Sequence, residues 1–392
     1  MSLSDRKVKR LNQMHDLSPD QLNKNTKLID TALNFLCKAG YLRVDTPVIE
    51  DSGLFIRKGG GELMGLVCTF LDSRGHRVSL RPEFTSSIIR LYLEQSNNTS
   101  SKTKWSYAGP VFRYRSHGQM MLEQFTQVGG EIIGKSGPET DAELIATAYK
   151  GLIELGIDNP VMKIGHAKSL MYFFNTFEIS ESAKQFIKSN LWSIRSGKTN
   201  REELMQRAID SGLTDENNSI SSNIDSSQTL VELESLSKDQ VNNPLGRRTP
   251  SEIISLLEEK RMAKNDMAEF SSALDFASKL LAINGDAINS LKQVKELIRF
   301  EGLAEETMQP LEVLLDELKK VDVPIKNMGL DFGMARGIAY YTGMIFELNC
   351  PNSEFLLGGG GRYDQLVANL GGVETAALGF AYNIDAINKS SR

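Results

Sequence analysis

The order of strand-type and helical patterns along the chain restricts its fold more than any other feature. Residues 1–166 mix helical spacing with short apolar strand signals. Residues 167–321 carry almost only helical patterns, and residues 322–392 return to strand-type composition. A helical block between two strand-rich segments predicts an α+β fold, in which one antiparallel sheet flanked by helices receives a helical insertion.

The helical block is itself divided by a polar stretch. SEIISLLEEKR, SSALDFASKLLAI and LEVLLDELKK show the clearest helical spacing. Between the helical patterns, Asp215–Gln228 is polar and rich in asparagine and serine. Such a composition buries too little apolar surface to fold, so it predicts a flexible connection within the insertion.

The composition is that of an ordinary globular protein and limits its partners. Of the 392 residues, 40% are hydrophobic and 24% are charged, which is enough to bury a core. The formal net charge of −5 weakens a nucleic-acid role, although it does not exclude a local basic groove. No apolar run reaches the ~18 residues of a membrane span, and no secretory signal is visible. We therefore expect a cytoplasmic protein without a membrane partner.

The cysteines and histidines do not form a metal-binding or disulfide pattern. Cys37, Cys68 and Cys350 are far apart and include no CxxC pair. This spacing predicts reduced thiols that are buried as small apolar residues. None of the four histidines pairs with another at the spacing of metal ligands. We expect neither a metal nor a cofactor.

The segment LRPEFT ends a strand pattern and begins a helical one. Glu83 and Thr85 stand at this junction. They either face a pocket, where Glu83 would accept protons from a ligand ammonium group, or they cap the helix. On this segment alone, capping is the favoured interpretation.

Two neighbouring strand patterns concentrate polar side chains on one face. In GPVFRYRS, alternation places Val111, Arg113 and Arg115 on the same face. Arginines there suit a carboxylate or phosphate, although a solvated sheet face explains this strand equally well. In FTQVGGE, Gln127 and Glu131 also share a face. If the strands form a hairpin, these groups together predict a site for an amino acid.

Two later segments add further candidate residues. ARGIAYYTG places Arg336, Tyr340 and Tyr341 between strand patterns. The run Gly358–Gly361 permits positive φ angles and close approach of a ligand, but no GK[ST] follows it as in a phosphate-binding loop. As an isolated glycine run, it predicts a tight turn.

The order and spacing of these segments resemble the catalytic core of class II aminoacyl-tRNA synthetases, in particular the histidyl-tRNA synthetase family. GYLRVDTPVIE resembles the first class II motif, and GPVFRYR with QFTQVGGE resembles the second. LRPEFT resembles the synthetase LRPEGT segment, and ARGIAYYTGMIFE and GGGGRYD resemble segments specific to histidine recognition. The likeness covers roughly residues 1–166 and 322–385. It implies a six- or seven-stranded antiparallel sheet flanked by helices, in a dimer.

The resemblance implies a histidine-binding site when it is carried over residue by residue. Glu83, Thr85 and Gln127 match positions that hold the α-ammonium group of the amino acid. Arg113 and Arg336 match positions near its carboxylate. These five residues would therefore hold the backbone part of the ligand.

The imidazole end of the implied site involves a further group. Glu131 and Tyr341 match positions that contact the imidazole, and we place Tyr340 in the same site. Ala339 stands where synthetases have the aspartate of RGLDYY. That difference, like RPEFT in place of RPEGT, brings the chain closer to a paralogue of the synthetases.

The sequence departs from the synthetases where they hold ATP. Met121 and Glu123 replace basic positions of the second-motif loop, and Ala386 replaces the arginine of the third motif. A charge-assisted contact contributes about 1.5–3 kcal/mol. Losing two or more implies a loss of roughly 10³-fold or greater in ATP affinity or rate. The chain ends six residues after Ala386, at Arg392, so no anticodon-binding domain is expected.

These departures resemble the ATP phosphoribosyltransferase regulatory subunit, a paralogue of the synthetases. The resemblance implies a non-catalytic regulatory subunit, not an enzyme, which activates the short-form ATP phosphoribosyltransferase catalytic subunit. It senses L-histidine for feedback inhibition in the first step of histidine biosynthesis. The implied assembly is a homodimer within a hetero-octamer, without tRNA. Two alternatives stay open: a truncated histidyl-tRNA synthetase-like enzyme that activates histidine with ATP, and a dimeric interaction protein with a vestigial pocket.

Overall fold

The protein divides into two compact units. One unit joins Met1–Leu170 to Ile283–Arg392, and the other is Met171–Ala282. The predicted limits of the insertion, 167 and 321, stay a prediction. The computed structural model describes residues 9–12, 14–56, 65–95, 102–116, 120–196, 199–214, 267–335, 340–351, 353 and 355–390. The predicted connection Asp215–Gln228 and the helix SEIISLLEEKR lie outside these residues.

The strands of the described residues form two sheets in the first unit. A sheet of eight strands has the order β1-β5-β6-β11-β10-β9-β7-β8, and a small sheet has the order β2-β4-β3. The strands are β1 (Leu42–Arg43), β2 (Ile49–Asp51), β3 (Thr69–Leu71), β4 (Arg77–Leu80), β5 (Thr103–Ser116), β6 (Met120–Ile133), β7 (Val161–His166), β8 (Met328–Leu330), β9 (Met344–Asn349), β10 (Gly358–Arg362) and β11 (Ala377–Asn383).

The large sheet is mainly antiparallel, as the sequence predicts. Its two edge pairs, β1 with β5 and β7 with β8, are parallel. The resemblance implies six or seven strands, whereas this sheet has eight. The edge strands β1 and β8 span only two and three residues. Alternation of apolar and polar residues cannot be recognised over so short a length. Pro47 separates β1 from β2, which belong to different sheets.

The helices of the described residues agree with most of the predicted helical segments. They are α1 (Pro19–Lys38), α2 (Ser52–Ile56), α3 (Thr85–Gln95), α4 (Pro138–Glu154), α5 (Ala167–Asn175), α6 (Glu181–Ser196), α7 (Arg201–Asp210), α8 (Met267–Ala282), α9 (Ala287–Phe300), α10 (Gln309–Lys320), α11 (Leu366–Asn369) and α12 (Ile384–Ser390). Ser18 begins α1 with a capping box, in which its hydroxyl accepts from the Gln21 N–H and the Gln21 side chain accepts from the Ser18 N–H.

Helices pack on both faces of the large sheet. On one face, Ile88 and Tyr92 of α3 join a buried cluster with Tyr107 of β5. On the other, the hydroxyl of Tyr382 donates to the carbonyl oxygen of Ala148 in α4 at 2.7 Å. Paired residues of neighbouring strands point to the same face, and Tyr107 pairs with Gly129 of β6 whereas Tyr382 pairs with Val128. Because Val128 and Gly129 are consecutive residues of one strand, Tyr107 and Tyr382 point to opposite faces of the sheet. One face of α4 is buried, and its residues follow helical spacing: Ala142, Ile145, Ala148, Tyr149 and Leu152.

The second unit is helical in its described part. Helices α6 and α8 pack through Phe186 and Phe270, whose ring centroids are 6.0 Å apart. Arg201, at the start of α7, bonds Asp275 of α8 through its Nε at 2.7 Å. Since Arg201 is half exposed, this ion pair contributes at most about 1 kcal/mol.

The run of four glycines forms strand β10 in the middle of the large sheet, so the prediction of a tight turn was wrong. β10 pairs with β9 on one side and with β11 on the other. A Cβ atom at Gly360 would overlap the backbone of β11 at Gly379. The glycines are therefore required by the close approach of neighbouring backbone, a demand that local turn propensity does not reveal.

Three other sequence-based expectations concern membranes, metals and thiols. No helix in the described part of the chain is long and apolar enough to cross a membrane. Among the same residues, no three or more histidine, cysteine, aspartate or glutamate side chains are grouped as metal ligands. The cysteines were wrongly predicted to be buried: Cys37 is exposed on α1, and Cys68 and Cys350 are half-buried.

His166 joins β7 to α5 and is buried in its neutral form. Its Nδ1 accepts a hydrogen bond from the backbone N–H of Ser169 at 3.1 Å, which requires an unprotonated nitrogen. Burial, reinforced by the positive charges of Lys168 and Arg362, lowers the pKa of His166 to about 4. An unfolded histidine titrates near 6.5, so the unfolded chain binds the additional proton between these values.

We predict that His166 contributes to the acid sensitivity of the fold. As the pH falls from about 7.5 to about 4.5, this residue should lower the free energy of unfolding by on the order of 2–3 kcal/mol. Replacement His166→Gln should remove that part of the pH dependence in urea denaturation. His15→Gln, which changes an exposed histidine, is the control and should retain it. Identical pH dependence in all three proteins would contradict the prediction.

Candidate ligand-binding site

A cavity of about 240 Å³ opens on the large sheet of the first unit. This volume is below the ~300–1,000 Å³ of pockets for drug-sized ligands, and it suits a molecule of amino-acid size. Six of the eight residues predicted from the sequence line the cavity: Glu83, Thr85, Arg113, Gln127, Tyr340 and Tyr341. Glu131 lies next to the lining residues and bonds Thr85. Arg336 and its neighbour Ala339 lie outside the described residues.

The β5–β6 hairpin brings the polar residues of two strands to one face. Its register pairs Gly109 with Gln127 and Trp105 with Glu131. Because Arg113 lies an even number of residues from Gly109, its side chain points to the same face. The predicted hairpin and the predicted shared face of Arg113, Gln127 and Glu131 are therefore confirmed. The side chain of Arg115 is outside the described part of the chain.

Glu83 lies at the junction of β4 and α3 and serves two purposes. Its carboxylate oxygens accept from the backbone N–H of Ser86 at 3.2 and 3.3 Å. This is a capping bond at the first turn of α3. Glu83 also lines the cavity. The capping and pocket interpretations, which the sequence left as alternatives, hold together.

Arg113 brings positive charge to the cavity and fixes the adjoining backbone. Its Nε donates to the carbonyl oxygen of Pro82 at 2.7 Å, so β5 holds the segment that leads into Glu83. Its guanidinium lies 5.2 Å from the centroid of the Phe125 ring. A planar guanidinium against an aromatic ring keeps a defined orientation, which suits it to bind a carboxylate through two hydrogen bonds.

Gln127 carries an unsatisfied polar atom in the cavity wall. The residue is only 8% exposed. Its Oε1 is buried without a hydrogen-bond partner among the described residues. Leaving a buried acceptor unpaired costs about 1–3 kcal/mol, so this atom indicates where a donor of a bound ligand belongs.

Glu131 is 1% exposed and is held by three hydroxyl groups. Its Oε1 accepts from Thr85 Oγ1 at 2.9 Å and from the Tyr107 hydroxyl at 3.0 Å. Its Oε2 accepts from the hydroxyl of Tyr363. The sequence-based site lacked Tyr107 and Tyr363. Alternation along β5 places Tyr107 on the face of Arg113, and that signal was available; the position of Tyr363 after β10 depends on the whole sheet.

An aromatic wall closes another side of the cavity. The ring centroids of Tyr340 and Tyr341 are 4.7 Å apart, and those of Tyr340 and Tyr363 are 5.8 Å apart. Burial raises the pKa of all three hydroxyls, so they stay protonated at neutral pH. Glu347 of β9 also lines the cavity and was missed, although an acidic residue in the apolar strand MIFELN was a visible signal.

The start of α12 lies beside the cavity but presents no positive charge. Asn383 lines the cavity, and its Oδ1 accepts from the backbone N–H of Ala386 at 3.0 Å. Asp385 accepts from the backbone N–H of Thr126 at 2.7 Å and from the Asn25 side chain at 3.1 Å. Ala386 is 5% exposed and offers only a methyl group.

Comparison with known proteins establishes the family. The family model described as "Histidyl-tRNA synthetase" matches residues 13–215 and 227–387. The chain therefore belongs to the histidyl-tRNA synthetase family. It is 28% identical over 373 residues to a histidine–tRNA ligase of Sulfurisphaera tokodaii, covering 95% of this chain and 72% of that protein. It is 29% identical over 374 residues to a histidine–tRNA ligase of Methanococcus vannielii, covering 95% and 73%.

A solved structure shares the fold. It is named as an ATP phosphoribosyltransferase regulatory subunit/histidyl-tRNA synthetase from Bacillus halodurans. The alignment has a TM-score of 0.70 and 18% identity, and it covers all of this chain and 85% of that one. At this identity the likeness concerns the fold alone. The large, mostly antiparallel sheet flanked by helices is thus the class II synthetase-like fold predicted from the sequence.

These comparisons correct the prediction that the chain is not an enzyme. Eight relatives, 26–29% identical over at least 95% of this chain, are named histidine–tRNA ligase, which is the name of an enzyme. The prediction relied on the expectation that Met121, Glu123 and Ala386 occupy positions that are basic in the synthetases. Losing charged contacts lowers nucleotide affinity or rate, but it does not remove the remaining groups that bind and orient a substrate.

We predict that the charge and the capping bond of Glu83 can be separated by mutation. Glu83→Gln keeps an oxygen acceptor for the Ser86 N–H, so the free energy of unfolding should change by less than about 1 kcal/mol. Glu83→Ala removes the acceptor and should cost about 0.5–2 kcal/mol more than Glu83→Gln. Thermal or urea denaturation of the two variants measures this difference. Equal losses of stability would show that the capping bond does not stabilise α3.

Proposed function

We propose that the cavity binds L-histidine through its α-amino-acid group. The observation that carries the proposal is the buried Oε1 of Gln127, which has no hydrogen-bond partner within the described ranges of the chain. This atom lies on the same face as Arg113 and in the same cavity as Glu83. An α-ammonium group has three donors, which match the amide oxygen and the carboxylate of Glu83. The guanidinium of Arg113 is the matching group for the α-carboxylate.

Glu131 and Tyr341 would recognise the side chain of the ligand. A neutral imidazole has one N–H donor and one acceptor nitrogen. The carboxylate of Glu131 would accept from the N–H, and the hydroxyl of Tyr341 would donate to the other nitrogen. The tyrosine rings of the aromatic wall supply the apolar surface that a flat ring needs. Membership of the histidyl-tRNA synthetase family supports this choice of amino acid.

We also propose that the chain activates bound histidine with ATP. A carboxylate oxygen of histidine would attack the α-phosphorus of ATP, forming histidyl-adenylate and releasing pyrophosphate. The names of the relatives support this reaction. Arg113 would orient the carboxylate, and its charge would stabilise the negative charge that develops on the phosphate. Since Ala386 contributes no charge beside the cavity, the reaction should be slow for its class.

A second candidate is a histidine-sensing role beside an ATP phosphoribosyltransferase. The name of the Bacillus halodurans structure and the alanine at position 386 favour it. The partner would be a short-form catalytic subunit, with L-histidine as effector, and the assembly would be a hetero-octamer built on a homodimer. Regulation would require histidine to bind one state of that assembly more tightly than the other.

We predict that Gln127→Met weakens histidine binding. The substitution removes the buried acceptor, and the loss of one hydrogen bond to an ammonium group should raise the dissociation constant about 10–100-fold. Isothermal titration calorimetry with L-histidine measures it. Gln124→Met is the matched control, since Gln124 is exposed on the same strand. The proposal of a histidine site fails if the wild-type chain does not bind, or if Gln127→Met binds as tightly as the control.

We predict histidine-dependent exchange of pyrophosphate into ATP. Exchange should be lost in Arg113→Ala and retained in Gln124→Met, because only Arg113 faces the ligand. Histidine binding without exchange would contradict the proposed activation. In that case, the second candidate would be tested by adding a short-form ATP phosphoribosyltransferase and measuring whether its activity rises with this chain and falls with histidine.

A further inference from the structure

Three elements direct hydroxyl groups at one buried carboxylate. Thr85 begins α3, Tyr107 lies on β5, and Tyr363 follows β10. All three hydroxyls donate to Glu131, two to its Oε1 and one to its Oε2. Tyr107 and Tyr363 are each 1% exposed, so two of these bonds are shielded from water. A carboxylate held from both oxygens cannot rotate without breaking several bonds.

The backbone of β11 lies against another side of Glu131. Gly379 pairs with Glu131 in the sheet. A Cβ atom at Gly379 would overlap Oε2 of Glu131 and would lie 2.9 Å from the Tyr363 hydroxyl. Glycine at this position therefore makes room for the carboxylate and for its donor together. The site is arranged around one orientation of Glu131.

The hydroxyls of Tyr107 and Tyr363 also favour the ionised form of Glu131. Burial first, and then the negative charge of Glu131, raises the pKa of Tyr107 and of Tyr363. Both hydroxyls therefore stay protonated and act as donors to the carboxylate. Donors stabilise the ionised form of a carboxyl group and disfavour the protonated form. An ionised carboxylate only accepts hydrogen bonds, whereas a protonated one would compete as a donor.

The tyrosines and the arginine near Glu131 do not change charge in the neutral range. The described groups whose charge interacts with it, or which face the same cavity, are Tyr41, Tyr107, Tyr340, Tyr341, Tyr363, Glu83, Glu347 and Arg113. Burial raises the pKa of each of these tyrosines above its ordinary value near 10. Arginine stays charged throughout this range.

We propose that Tyr363, together with Tyr107, is a positioning residue that keeps Glu131 ionised and oriented to accept the imidazole N–H of histidine. The two tyrosines thereby extend ligand binding to mildly acidic pH. This inference rests on the proposed function, because it takes L-histidine as the ligand. It adds residues that reach the ligand through Glu131 and are absent from the site predicted from the sequence.

The test compares the dissociation constants of histidine for Tyr363→Phe and wild type at several pH values. The variant keeps the ring and removes one donor from Glu131. The dissociation constant of Tyr363→Phe divided by that of the wild type should be about 3–10 near pH 8 and about 30–100 near pH 5.5. The ratio should rise toward acid pH because Glu131, with one donor fewer, protonates at a higher pH in the variant than in the wild type. Titration of histidine itself cancels in the ratio. A purely structural role would give the same ratio at every pH.

Tyr382→Phe is the matched control. Tyr382 is fully buried in the same sheet, and its hydroxyl donates to the Ala148 carbonyl oxygen and not to Glu131. The dissociation constant of Tyr382→Phe divided by that of the wild type should stay near 1 at every pH. In a Glu131→Gln background, Tyr363→Phe should give a ratio that does not change with pH, because the titrating group is gone. If Tyr363→Phe does not fold, Tyr107→Phe replaces it, since that variant removes a donor to Oε1.

The outcomes separate this inference from the proposed function. Wild-type chain that does not bind histidine overturns both. Wild-type chain that binds, with a Tyr363→Phe ratio that is constant across the pH range, overturns the positioning role and leaves the histidine site standing. A ratio that rises toward acid pH equally in Tyr382→Phe also overturns it.

Discussion

The register of the β5–β6 hairpin is the constraint on which the site depends. Fourteen residues of each strand pair without interruption of register, from Thr103 opposite Ile133 to Ser116 opposite Met120. A slip by one residue would turn Gln127 and Glu131 to the opposite face and away from Arg113. Apolar residues buried on the same face, such as Val111, oppose that slip, because they would lose their packing with α3. Packing of the core therefore fixes the polar site.

The second requirement is that a charged group inside the fold must have donors. Burying an unpaired carboxylate would cost far more than the few kcal/mol that separate a folded domain from its unfolded state. Glu131 meets this requirement with hydroxyls from three elements, so the positions of α3, β5 and β10 are coupled through it. Gln127 shows the opposite case, since its buried Oε1 has no partner among the described residues. The first arrangement stabilises the fold, and the second is the basis of the proposed histidine site.

The sequence predicted what depends on periodicity and failed where distant strands meet. Alternation identified the shared face of Arg113, Gln127 and Glu131, and helical spacing identified the segments that form α8 and α10. The run Gly358–Gly361 predicts a turn when only its local sequence is considered, because nothing local shows that the backbones of β9 and β11 lie close to it on both sides. The donor Tyr363 was missed for the same reason, because it lies 232 residues from Glu131 along the chain.

The error about catalysis has a physical explanation that also bears on other members of this fold. Recognition of a small amino acid relies on a few buried groups, each of which costs about 1–3 kcal/mol if it is left unpaired. Binding of a triphosphate is spread over several charged contacts, so an alanine in place of an arginine at position 386 would change the strength of binding and not its chemistry. Substitutions at the phosphate end therefore indicate how fast a reaction runs. The pairing of groups at the amino-acid end indicates which substrate it uses.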